Sequence, residues 1–196
     1  MSGRDDRVRI LSQEFMGGGW AKLTRYVVEV RQANGQRQEM VREVEDHGNS
    51  VAVLPFDPQR RTVLLVRQFR FAAYLNGHDG WLVEACAGMI DAGETAEQAV
   101  VREAREELGV ALRDVRRLRD IFLSPGASKE RATLFAARYS PSDRVADGGG
   151  ADESEQVEII EMPVEQAARA AADGSIVDAK TIILIQAALL AGPGKF

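Results

Sequence analysis

Residues 102–109 read REAREELG, with three carboxylates in five positions: Glu103, Glu106 and Glu107. Thr95 and Gln98 stand three apart just upstream, the pattern of a helix capping box, and Gly109 follows the acidic run where a left-handed stop is wanted. The spacing therefore predicts a helix over about 95–108. At 100° per residue, Val100, Val101, Ala104 and Leu108 share one face, and the three glutamates gather on its flank, Glu107 nearest the apolar edge. Glu103 and Glu107 form an i,i+4 like-charge pair that costs about 0.2–0.5 kcal/mol. Arg102 can offset Glu106 at i+4, but no cation in the sequence is spaced to neutralise Glu103 and Glu107 together. A solvated acidic face is the plain alternative. A hard divalent cation would relieve the repulsion, and Mg²⁺ (or Mn²⁺) on carboxylates keeps coordination positions open for phosphate oxygens.

The helix must be held by something, and the flanking pattern supplies it. VAVLPF and TVLLVRQF read as buried strands joined by a turn at DPQR, and WLVEACAGM as a strand entering a glycine-punctuated loop. LRDIFLS and ATLFAARYS read as strands around the loop PGASKER. VEIIEM is a further strand, Pro163 opens a helix that Gly174 closes, and a last helix covers about 179–191. Strands and helices mix without regular alternation, so an α+β packing is expected. Before His47, KLTRYVVEVRQ and QRQEMVREVE alternate around Asn34-Gly35, a strong hairpin signal, and FMGGGW reads as a bend. Residues 1–48 are thus expected to form a small antiparallel β-sheet, thin in apolar surface, beside a main domain at 49–196.

The chain has 196 residues, a formal net charge of −5 and one cysteine, Cys86. No intrachain disulfide is possible, in keeping with a reducing cytoplasmic setting. The acidic balance and the lack of a basic run argue against nucleic acid as partner. TIILIQAALLAG, broken by Gln186, is too short to cross a membrane, and the N-terminus lacks a signal-peptide apolar stretch. An anionic substrate would then be held by local arginines and a cation, not by net charge.

Gly88, Glu94, Arg102, Glu103, Glu106, Glu107, Gly109 and Val110 keep the full spacing of a Nudix box, and every fixed position matches; only Ala104 is smaller than usual. The chain resembles the Nudix hydrolase superfamily. RQFRFAAY, EACAGMIDAGE, LSPGASKER and GGGADESE extend the resemblance to its ADP-ribose pyrophosphatase-like branch. REVEDHGN, LNG, EACAG, the glycines at 148–150 and AKT at 179–181 look most like bacterial GDP-mannose hydrolases, while GMID and DESE suit ADP-ribose pyrophosphatases as well.

The resemblance implies an α/β/α sandwich with a mixed sheet and Mg²⁺-dependent hydrolysis of the pyrophosphate of a nucleotide sugar. A non-catalytic nucleotide-sugar sensor is the alternative from another class. It implies Glu103 and Glu107 as main metal ligands, with Glu106 a third and the carbonyl of Ala87 a backbone ligand. Glu94 and Arg102 become supporting residues. Glu153 or Glu155 would orient the attacking water, one of them also reaching metal; the sequence does not choose between them. Arg67, Arg70, Glu130 and Lys180 become candidate substrate contacts. Arg42 and Glu43 do too, reaching the site of a second subunit in a homodimer with exchanged N-terminal sheets. For each of these the plain alternative is a surface ion pair or a solvated side chain. His47 and His78 read as isolated, and Cys86 as packing.

Overall fold

The computed structural model describes residues 7–150 and 157–191. The chain divides into two compact units: one runs to Gly48 and includes Phe122–Arg131, the other holds Asn49–Ile121 and the chain from Ala132 on.

The first unit is an antiparallel sheet of β1 (Val8–Gly17), β2 (Lys22–Arg31) and β3 (Arg37–Asp46), in that order. Asn34-Gly35 makes the expected hairpin. Gly35 adopts φ +85° and the Asn34 carboxamide accepts from the Gln36 amide at 3.0 Å. The glycine bend between β1 and β2 is also present, and a Cβ on Gly18 would meet the Ala21 carbonyl oxygen at 2.0 Å. Residues 122–131, which the sequence reads only as strand end and connecting loop, lie along the end of β3. The Glu45 amide donates to Ala127 O at 2.8 Å, the Lys129 amide to Glu45 O at 2.9 Å, and the Lys129 side chain pairs with Asp46.

The second unit is built on a mixed sheet. Its strands are β4 (Ser50–Asp57), β5 (Thr62–Phe69), β6 (Trp81–Glu84), β7 (Cys86–Met89), β8 (Arg113–Phe122), β9 (Arg131–Arg138) and β10 (Glu158–Pro163). The main path runs β10-β5-β4-β9-β8, with β4 parallel to β9 and antiparallel to β5 and β7. Period-two alternation divides the buried strands between two cores. Val51 and Val53 pack with Val100, Ala104 and Leu108 of helix α2 (Ala96–Glu107 and its cap). Ala52, Leu54 and Phe56 pack with Val164 and Ala167 of α3 (Val164–Asp173) and Leu184 and Ile185 of α4 (Ala179–Ala191). Helices therefore cover both faces, and each fully buried Val or Leu contributes about 1.5–3 kcal/mol. A five-residue helix, α1 (Phe71–Leu75), precedes β6.

Two expectations need correction. Val101 does not join the apolar face of α2; it is 46% exposed, and Ala99 is buried in its place. WLVEACAGM is not one strand. It breaks at Ala85, because β6 pairs with β5 while β7 crosses to β4. The Ala85 amide at the break leaves the ladder and donates to the buried Thr181 hydroxyl at 2.6 Å. Among the described residues, no helix is long and apolar enough to cross a membrane.

Candidate active site

Helix α2 begins as its sequence dictates: the Thr95 hydroxyl accepts from the Gln98 amide at 3.2 Å, and the Gln98 side chain accepts from the Thr95 amide at 2.9 Å. Its buried Ala99, Val100 and Ala104 fix its rotation against β4 and β7, and that rotation turns the glutamate flank toward β7. Gly88 on β7 is required here. A Cβ at this position would lie 1.9 Å from Glu103 Oε1, so the strand admits the carboxylate only because residue 88 has no side chain.

Arg102 organises the acids. Its Nε and NH2 donate to the two oxygens of Glu94 at 3.1 and 3.0 Å, NH2 also to Met89 O at 3.0 Å, and NH1 to Glu103 at 2.7 Å and Glu106 at 3.0 Å. The fork thus ties the loop after β7 to the helix. The hydrogen bonds it donates to Glu94 and then to Glu103 push the guanidinium pKa up still further, and the bond from Arg102 holds Glu94 below the usual carboxylate range. Arg102 meets Glu106 at i+4, as its spacing predicts, and it neutralises Glu103 as well.

Glu107 is different. Its residue is 6% exposed, its Oε2 accepts from the Ala87 amide at 3.1 Å, and burial pushes its pKa up to about 7 against the help of Cys86 and Ala87. The negative charge of Glu103 adds to the shift, and Arg70 opposes it. Cys86, fully buried in β7, is packing as expected; burial and then the Glu107 charge raise its thiol pKa well above the usual value.

Among the described residues no three His, Cys, Asp or Glu side chains converge as a complete metal cage. The donor set still fits a hard cation such as Mg²⁺, which takes one or two carboxylates and leaves the rest to water and phosphate. The buried Glu107 carboxyl, raised by lack of solvation, is a group that a cation would stabilise in its ionised form.

The remaining candidates are spread out. Arg70 donates through Nε to Glu84 Oε2 at 2.8 Å, and its NH2 lies 2.7 Å from the same oxygen. Glu84 is a buried acid missed in the sequence, where it reads as one polar residue in an apolar strand. Burial raises its pKa against the attraction of Arg70. Lys180 pairs with Asp178 at 2.7 Å, and Asp178 also accepts from the Thr181 hydroxyl. Arg67 lies over the Trp81 ring, 5.3 Å from its centre, and 3.4 Å from Glu158. In the first unit, Glu43 pairs with Arg25 at 2.8 Å, and Arg42 donates to Val41 O. Glu130, in that unit too, lies 3.2 Å from His47 Nε2, and Trp20 stacks on the His47 ring with centres 4.6 Å apart. His47 is therefore not isolated, which sequence spacing could not reveal across more than eighty residues. Glu153 and Glu155 lie outside the described residues.

A mixed sheet between helices thus presents a carboxylate-rich helix and its arginine clamp to β7 and the loop after it. The NUDIX domain family matches residues 46–183, and the chain belongs to it. It is 40% identical over 180 residues to the GDP-mannose pyrophosphatase of Klebsiella pneumoniae subsp. pneumoniae, covering 91% of this chain and 90% of that one. The GDP-mannose pyrophosphatase of Pectobacterium atrosepticum is 39% identical over 186 residues, covering 94% and 95%. A solved structure titled as an ADP compounds hydrolase shares the fold over the whole of both chains, with TM-score 0.74 at 19% identity.

Proposed function

We propose that this protein hydrolyses the pyrophosphate bridge of a nucleotide sugar, GDP-mannose by preference, giving GMP and mannose 1-phosphate. The observation that carries the reading is the pair Glu103 and Glu107, one seated on Gly88 and the other buried on the Ala87 amide. The identity of the substrate is supported by relatives 39–40% identical along nearly their full length. Glu103 and Glu107, with Glu106 and the Ala87 carbonyl, are the residues that would hold Mg²⁺ or Mn²⁺. Such an ion, when bound, supplies charge neutralisation at the phosphate oxygens.

The chain's own residues set up the rest. Arg102 keeps the carboxylates apart from solvent disorder and frees none of them to swing away. Arg70 brings positive charge beside Glu107, where a phosphate can use it, and Glu84 keeps it there. One of Glu153 and Glu155 orients the attacking water; Lys180, Arg67 and Glu130 contact the substrate. The first unit, with Val8 and Ile10 half exposed on its sheet, mediates a homodimer in which Arg42 and Glu43 serve the partner's site.

A panel of GDP-mannose, GDP-glucose and ADP-ribose with Mg²⁺ tests the reading. GMP release fastest from GDP-mannose is expected. AMP release from ADP-ribose as the fastest reaction would reassign the substrate. Tight binding of all three without products would make the protein a sensor. Sedimentation as a monomer at micromolar concentration would remove the dimer.

A further inference from the structure

The last turn of α2 carries Glu106 and Glu107, and its backbone is held by a segment far away in sequence. The Gly149 amide donates to Glu107 O at 2.8 Å and the Gly150 amide to Glu106 O at 3.2 Å. Just beyond the helix, the Val145 and Ala146 amides both donate to Gly109 O, at 2.8 and 3.1 Å. Residues 145–150 thus form a strap across the helix end and satisfy carbonyls that a helix C-terminus leaves without partners. Gly149 O in turn accepts from the Val157 amide at 3.2 Å, one residue before β10.

The contact is backbone on backbone, and at Gly148 and Gly109 it admits no side chain. A Cβ on Gly148, where φ is +73°, would meet Glu107 O at 2.7 Å and Ile159 Cδ1 at 2.7 Å. A Cβ on Gly109 would meet Ala146 O at 2.3 Å. Contacts of a Cβ below 3.0 Å are essentially never seen, so an alanine at 148 forces strap and helix end apart by at least about 0.3 Å, the difference between 3.0 and 2.7. Glu107 is then pinned at both ends: its carboxylate by the Ala87 amide, its carbonyl by Gly149.

We propose that Gly148 and Gly149 are positioning residues for the metal carboxylates, acting through the main chain of the last turn of α2. This rests on the metal reading of Glu103 and Glu107 given above. Magnesium requires its oxygens at about 2.0–2.1 Å in near-ideal directions, so a shift of a few tenths of an ångström in that turn is felt at the ion. Supporting contacts of this kind typically change metal affinity about 10–100-fold when lost.

Calorimetric titration of the substrate-free protein with Mn²⁺ tests it. Gly148→Ala is expected to bind Mn²⁺ at least about tenfold more weakly than wild type. Gly174→Ala is the control: its φ is +85°, but a Cβ there meets nothing within 4 Å, so it imposes the same backbone strain away from α2. It is expected to bind as wild type does. Equal Mn²⁺ affinity for Gly148→Ala and wild type overturns the proposal, as does an equal loss in both variants. If Gly148→Ala does not fold, wild-type amide exchange decides. By reciprocity, saturating Mg²⁺ slows exchange of the Gly149 and Gly150 amides and leaves the Ile176 amide, bonded to Ala170 O, unchanged. Binding of Mg²⁺ with no slowing at Gly149 and Gly150 overturns it. Wild type that takes up neither ion fails at the metal reading itself, a result separable from failure of the strap.

Discussion

Glu107→Gln should make the metal-free protein more stable, although it removes a carboxylate proposed to hold the metal. In the folded chain the Glu107 carboxyl titrates at about 7, against an ordinary value of 4.5, because it is buried. A folded-state pKa raised above the unfolded one gives stability that is fully present below about pH 4.5 and is lost as pH rises through 7. The rise from 4.5 to about 7 corresponds to about 3 kcal/mol at 1.36 kcal/mol for each tenfold change in acidity, an upper bound for one buried group. Glutamine imitates the protonated carboxyl and escapes this cost. Denaturant unfolding in EDTA at pH 8 should therefore show the variant more stable by up to about 3 kcal/mol, with the gap closing by pH 4.5. Comparing the two proteins cancels groups of opposite sign, such as Glu94, which Arg102 holds low and which destabilises as pH falls. Added Mg²⁺ should reverse the order at pH 8 by stabilising wild type alone. Equal stability at every pH, or a less stable variant in EDTA at pH 8, would refute the reasoning.

Other changes have equally definite outcomes. Arg102→Lys keeps the charge but loses the fork that joins Glu94, Met89 O, Glu103 and Glu106, so unfolding should show a loss of about 2 kcal/mol, with weaker Mn²⁺ binding. Gly88→Ala should leave the melting temperature within a few degrees but weaken Mn²⁺ about tenfold or more, since the Glu103 carboxylate, a flexible side-chain end, must give way. Thr181→Val leaves the buried Ala85 amide without its partner and removes one of the bonds to Asp178, which should cost about 2 kcal/mol in denaturant unfolding.

The chemistry of this protein was written locally, and its supports were not. Thr95, Gln98 and Gly109 announce α2 within fifteen residues, and the glutamates on its flank follow from its 3.6-residue period. The hairpin at Asn34-Gly35 is likewise a matter of adjacent residues. Val101 reads as core because the helical period places it with Val100, Ala104 and Leu108, but helix rotation is decided by the sheet it packs on. The break at Ala85 follows from which strands β6 and β7 pair with, and the amide it frees finds Thr181, nearly a hundred residues later. His47 gains its partner, Glu130, only when residues 122–131 lie along β3, and Glu84 becomes notable only when burial brings Arg70 to it. The glycines at 148–150 read as a polar loop, because what Gly148 avoids, the carbonyl of Glu107, is absent from their own segment.

Turnover of GDP-mannose by wild type and Glu107→Gln at pH 8, each with Mg²⁺ and with EDTA, is the most direct test of the central claim. Wild type with Mg²⁺ should release GMP and mannose 1-phosphate. Chelation, or the substitution in an otherwise folded protein, should cut the rate by about a hundredfold or more. Wild-type rates from Glu107→Gln, or hydrolysis undiminished in EDTA, would contradict it.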